Sequence, residues 1–204
     1  MQKWFKNKLN WLTENPSERT LKRSLIAGFL LLVVSAPAII WLLESSNYPG
    51  GLDETQLGFD GEYIRACFST MSEEELTTFI LGNLADYVFM VSYGVVLSCA
   101  SLLLSRKLND SRLKKIGLTI SLLGVLAALS DAAENVFIIS MAVNPQYFPG
   151  WLAIPHSLFA HLKFNCMYIT SGWILLAVLI HGVMRIQRIF TSRVLTSPKV
   201  IMND

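Results

Sequence analysis

Residues Ile116–Val143 read IGLTISLLGVLAALSDAAENVFIISMAV, an apolar run broken by charge only at Asp131 and Glu134. A helix needs about 20 mostly apolar residues to cross roughly 30 Å of hydrocarbon, and this stretch is long enough. Three further segments qualify. Ser24–Leu43 is free of charge and carries Pro37, which neighbouring helices accommodate inside a membrane. Leu76–Ser105 contains one charge, Asp86, and Trp151–Met184 contains Lys163 with all three histidines. The expected fold is an all-α, integral membrane, up-down four-helix bundle, because short connections favour antiparallel neighbours.

Composition agrees. Of 204 residues 52% are hydrophobic and only 16% charged, with a mean hydropathy of +0.45. A soluble domain carries about 25% charged residues, so soluble globular and disordered classes are excluded. Three cysteines exclude a disulfide scaffold, and a net charge of +2 gives no reason to expect nucleic acid as a partner. Ala36-Pro37-Ala38 resembles a signal-peptide cleavage site, but Ile39–Leu43 continue the apolar run beyond it. An uncleaved anchor is therefore expected.

Loop charges set the expected orientation. Lys3, Lys6, Lys8, Arg19, Lys22 and Arg23 precede the first span; Arg106, Lys107, Arg112, Lys114 and Lys115 lie between the second and third. Arg185, Arg188, Arg193 and Lys199 follow the fourth, which leaves only Arg65 and Lys163 of the seventeen basic residues elsewhere. The positive-inside rule puts both termini in the cytoplasm and the acidic 44–71 loop outside, in a bacterial inner (plasma) membrane. The expected organisation is a cytoplasmic interfacial segment at 1–23, a transmembrane domain at 24–184 and a basic cytoplasmic tail at 185–204. Its spans run over about 24–43, 76–105, 116–143 and 151–184. Trp4, Phe5, Leu9, Trp11 and Leu12 share an apolar arc that suits a short interfacial helix, although Lys8 falls within it. Ser72 and Glu75 have capping-box spacing, with Met71 and Leu76 at the staple positions, so the second helix starts outside the membrane. Asn144-Pro145 with Pro149-Gly150, and Asn109-Asp110-Ser111, mark the two short turns.

Ionisable residues inside spans are expensive and suggest function by default. At ~1.5 Å per residue from the cytoplasmic ends, Asp86 lies about 29 Å up, Asp131 about 22 Å, Glu134 about 27 Å and Lys163 about 32 Å. Three antiparallel helices thus carry their charges to one layer. By helical facing, Asn83, Asp86, Met90 and Tyr93 share one side of the second span. On the third, Gly124, Ala128 and Ala132 form a stripe that permits close helix approach, with Asp131 and Asn135 alongside and Glu134 at the edge. On the fourth, His156, Lys163, Met167 and Thr170 form one face, while His161 and Asn165 share the opposite face, where a bond to the first span is expected. His181 falls near the cytoplasmic interface. The candidate polar cluster is Asn83, Asp86, Tyr93, Asp131, Glu134, Asn135, His156 and Lys163. Either Lys163 pairs with one or two of the carboxylates as an internal staple, or the excess acid is protonated or takes another cation, as suits a proton-titrating, metal-binding or polar-headgroup site.

No metal or other cofactor is expected. Asp131-x-x-Glu134 lacks the histidine that a di-iron helix places three residues after its glutamate, and Lys163 repels a cation. The cysteines, Cys67, Cys99 and Cys166, stand in no CxxC or nucleophile pattern.

The pattern of Asp86, Asp131-Ala132-Ala133-Glu134-Asn135 and Lys163, preceded by an amphipathic Tyr63–Phe68 segment, resembles a family of small four-span bacterial membrane proteins of unassigned activity. The resemblance covers roughly Gly58–Met184 and implies no reaction. The expected function is a non-enzymatic, multi-pass protein whose polar layer binds a small polar ligand or lipid headgroup. The same layer could instead lock a bundle that works with a membrane-protein partner or a second copy. The alternative is an intramembrane, lipid-directed hydrolase or transferase, with Asp131 or Glu134 as base and Lys163 stabilising an anion. An opening that reaches the carboxylates separates a site from a dry staple.

Overall fold

The computed structural model describes residue 7 and residues 9–196, with side chains through residue 187. Trp4, Phe5, Lys8 and the last eight residues, and so the start of the expected interfacial arc and the end of the basic tail, lie outside the described residues. The chain forms α1 (Glu18–Ser45), α2 (Leu52–Leu57), α3 (Gly61–Ser69), α4 (Glu73–Arg106), α5 (Ser111–Val143) and α6 (Ala153–Thr196), with a 3-10 turn at Gly150–Leu152 before α6. The four long helices run up and down, and each is long and apolar enough to cross a membrane.

Local chemistry fixes the helix starts. Ser17 accepts from the Thr20 amide, and Asp110 accepts from the Arg112 and Leu113 amides. Ser72 and Glu75 satisfy each other's backbone amides reciprocally, the capping box read from the sequence. Such caps occupy amides that a helix leaves without intrahelical partners. The helices extend beyond the apolar windows: α1 begins at Glu18 and α6 runs through Arg185 to Thr196 as one helix.

Helices α4, α5 and α6 pack consecutively, and α1 makes its extensive contacts with α4 alone, so it flanks the bundle. Its apolar side chains face outward: Ile26, Phe29, Leu30, Val34 and Trp41 are all exposed. A contiguous apolar surface of this kind belongs against lipid. The small-residue stripe on α5 does what its spacing suggests. A Cβ at Gly94 of α4 would sit 2.7 Å from the Ala128 Cβ and 3.3 Å from the Gly124 carbonyl oxygen, so the two backbones touch through these positions.

The 44–71 segment is built rather than loose. Ile64 and Phe68 of α3 are fully buried against Phe79 of α4, Ile138 and Met141 of α5, and Phe148 and Ala153 on either side of the 3-10 turn. Asp60 caps α3 by accepting from the Glu62 and Tyr63 amides. Gly61 is needed where α3 crosses the 3-10 turn, since a Cβ there would strike the Gly150 backbone. Arg65 ties the same junction by donating to the Phe148 carbonyl at 2.7 Å and lying over the Phe148 ring. Helix α2 rests on α6, so the two short helices cap one end of the bundle, here termed the capped end. The opposite end carries the basic turn between α4 and α5.

Candidate functional site

Asp131, Glu134 and Asn135 lie three and four residues apart on α5 and therefore project from one face. All three are buried, with Glu134 only 1% exposed. Lys163 of α6 reaches between the two acids: its Nζ lies 3.0 Å from Asp131 Oδ1 and 2.6 Å from Glu134 Oε2. Tyr93 of α4 donates to the remaining Asp131 oxygen at 2.8 Å, so that carboxylate is paired on both sides. The ammonium also lies 4.7 Å from the centroid of the Phe164 ring. Removing charges from water is costly, and this geometry offsets it with charge-assisted bonds from two helices to a third.

Asp86 stands apart. It makes no ion pair among the described residues; its Oδ2 accepts from Asn135 Nδ2 at 2.8 Å, and the same amide donates to the Asn83 backbone carbonyl at 3.1 Å. Lys163 therefore pairs with two of the three carboxylates read from the sequence, and the third is held through an amide. The side chain of Asn83 is turned back on its own helix, donating to the Phe79 carbonyl.

His156 works differently. Its Nδ1 lies 3.3 Å from the Glu134 backbone carbonyl and its Nε2 lies 3.1 Å from the Thr55 carbonyl in α2. The imidazole links α2 to α5 from its place on α6. The neighbouring Ser157 hydroxyl accepts from the Phe59 amide at 3.1 Å, a second tie between α6 and the cap. The expectation that His161 and Asn165 bond to the first span is overturned. Helix α1 lies on α4, away from this face; His161 stacks on Phe59 at 5.3 Å, and Asn165 donates to the His161 carbonyl of its own helix. His181 bonds to the Leu104 carbonyl near the basic end.

Beside the cluster lies a half-open cavity of about 290 Å³ under the cap. Glu134, His156 and Asn83 form its polar floor, Tyr48, Phe79 and Ile138 its apolar wall, and Glu44, Thr55 and Gln56 its side toward the cap. Neither Asp131 nor Lys163 lines it, so only the Glu134 end of the ion-paired group reaches the opening. The Gln56 Oε1 atom is buried without a partner. Tyr48 shares a 3.0 Å hydrogen bond with the Thr55 hydroxyl, and burial pushes its phenol above the ordinary range, so it stays protonated. A larger groove of about 440 Å³ between α1, α4 and α5 has an almost wholly apolar lining and does not touch the charged residues.

Sequence reasoning missed Thr55, Gln56, Glu44 and Tyr48, which all belong to the segment read as a loop. It also missed Tyr87, whose hydroxyl donates to the Ala132 carbonyl across the α4–α5 contact. Thr55 contributes its backbone carbonyl, for which no side-chain signal exists.

Fold and cluster together define a multi-pass, four-helix membrane protein with a buried, unevenly paired set of charges. Comparison with family models, with curated proteins and with solved structures gave no match, so the likeness drawn from the D-x-x-E-N pattern rests on the sequence alone.

Proposed function

We propose that this protein is a binding protein of the bacterial inner membrane, with both termini cytoplasmic and the capped end outward. It takes a small polar ligand or a lipid headgroup into the cavity beneath α2. One observation carries the reading: Glu134, an acid almost wholly sealed in the protein, lines the cavity. A dry staple needs no such opening, and ligand sites combine a mostly apolar lining with a few placed polar groups. The enzymatic alternative draws less support. Its anion stabiliser, Lys163, is held between Asp131 and Glu134 and does not line the cavity.

Native mass spectrometry of the full chain, extracted from its own membranes, tests the proposal. The wild type is expected to carry a bound small molecule or lipid that survives desolvation. An Asn83→Phe variant, which fills the cavity floor, is expected to lose that mass while keeping its thermal unfolding temperature. A wild type that retains nothing under conditions that keep it folded contradicts the binding reading.

A further inference from the structure

The proposal that follows rests on the binding reading above and names the chemistry of the ligand. The polar side-chain atoms left free on the cavity wall are acceptors, apart from the amide nitrogen of Gln56. Gln56 Oε1 is buried and unpartnered, Glu134 Oε1 has no hydrogen bond among the described residues, and the exposed acid Glu44 also lines the cavity. Of the side-chain nitrogens nearby, only the Gln56 amide has no hydrogen bond among the described residues. Asn83 Nδ2 is held by the Phe79 carbonyl, Lys163 by its two acids, and both His156 nitrogens lie against carbonyl oxygens. Charge points the same way. One lysine faces Asp131, Glu134 and Asp86, so the wall behind the cavity is formally negative. A phosphate, sulfate or carboxylate entering here would meet the Gln56 amide as a donor but no positive field.

The Tyr48 and Phe79 rings, 4.9 Å apart, both line the cavity, and aromatic rings can attract cations. Three separate features thus select a cation: the acceptors, the charge balance and the aromatic wall. A primary ammonium offers three donors. A trimethylated ammonium offers none and would leave the buried Gln56 and Glu134 oxygens unsatisfied. We propose that the cavity binds a primary ammonium group, the chemistry shared by an aminoethyl phospholipid headgroup and by a free alkylamine.

The test uses the full chain in nanodiscs. One arm compares retention of phosphatidylethanolamine with that of phosphatidylcholine of identical acyl chains by native mass spectrometry. The other titrates ethylamine into phosphatidylcholine discs and follows binding by calorimetry. The expected result is a preference of roughly tenfold to a hundredfold for the primary amine over its trimethylated counterpart, the range for one hydrogen bond to a charged group. Retained phosphatidylethanolamine identifies a lipid source, and ethylamine binding without it identifies a soluble one; both uphold the amine. Glu134→Gln, which leaves the Lys163–Asp131 pair intact, and Gln56→Leu, which lies in the cap outside the ion-paired group, should each weaken binding to a similar degree. Equal retention of the two lipids without an ethylamine response, or preferential retention of phosphatidylglycerol, overturns the ammonium assignment while leaving a binding cavity. Binding of no lipid or small molecule at all overturns the underlying reading instead.

Discussion

The two ends of the bundle handle buried polar groups in opposite ways. At the basic end the buried polar residues are neutral and paired locally: Trp173 donates to the Ser105 hydroxyl at 3.0 Å, Ser105 donates to the Ser101 carbonyl, and His181 bonds to the Leu104 carbonyl. No charge is buried in this ladder. The part-buried Arg106 at the same end donates to the Leu12 and Pro16 carbonyls, while its Nη2 has no partner among the described residues. At the capped end, three carboxylates and one ammonium meet, the pairing is uneven, and a cavity touches one member. A neutral ladder is enough to join helices. Buried ion pairs stabilise less than well-packed apolar groups of the same volume, so their presence at one end alone calls for another reason.

The most disruptive way to break this contrast is Lys163→Met. It leaves Asp131 and Glu134 buried without their cation, and losing one partner of a buried pair costs about 3–5 kcal/mol. Unfolding measured in detergent or bilayer should show that loss, and adding Asp131→Asn or Glu134→Gln should restore part of it. A double-mutant cycle is expected to show coupling of Lys163 to both of these acids and little to Asp86, which bonds to Asn135 instead. Equal coupling to Asp86 would show a different pairing from the one described.

Tyr93→Phe comes next. It removes the donor on Asp131 Oδ2, a bond to a charged group, and should cost about 1.5–3 kcal/mol in the same assay. Its counterpart at the basic end, Trp173→Phe, removes a neutral bond and should cost only about 1 kcal/mol, with no effect on any ligand held at the capped end. A Trp173 effect as large as that of Tyr93 would erase the distinction between the ends. The smallest energetic effect belongs to orientation. Single-cysteine labelling at the exposed Gln146 should occur in intact cells, and at the exposed Asn109 only after permeabilisation. Both substitutions should leave stability unchanged within about 0.5 kcal/mol.

Much of this layout was legible before any coordinates. Hydropathy alone marked four helices, side-chain spacing gave the Ser72–Glu75 cap, and counting rise per residue from the loops brought Asp131, Glu134 and Lys163 to one level. What spacing cannot say is which neighbour a helix chooses. α1 is apolar around most of its circumference, so its seat on α4 was hidden, and His161 and Asn165 were assigned to a contact that α1 does not make. The cap was hidden for another reason. Leu52–Leu57 is a six-residue helix, too short for a periodic signal, and its key contact is a backbone carbonyl meeting His156 from about a hundred residues away. The cavity is a product of that long-range contact, so it could not be read from any local stretch.

On the proposed reading, the capped end admits a ligand as far as Glu134 and no further. That limit is tested most directly by chemical access, with Cys67, Cys99 and Cys166 replaced by serine or alanine. A small, positively charged thiosulfonate reagent applied to the purified protein should modify a Glu134→Cys variant, and ethylamine should slow the reaction. An Asp131→Cys variant, whose position does not line the cavity, should stay unmodified until the protein unfolds. Equal protection of both cysteines would mean that the cluster is a sealed staple, and equal modification would mean that the cavity is not bounded at Glu134; either result rules out a ligand site that stops at Glu134.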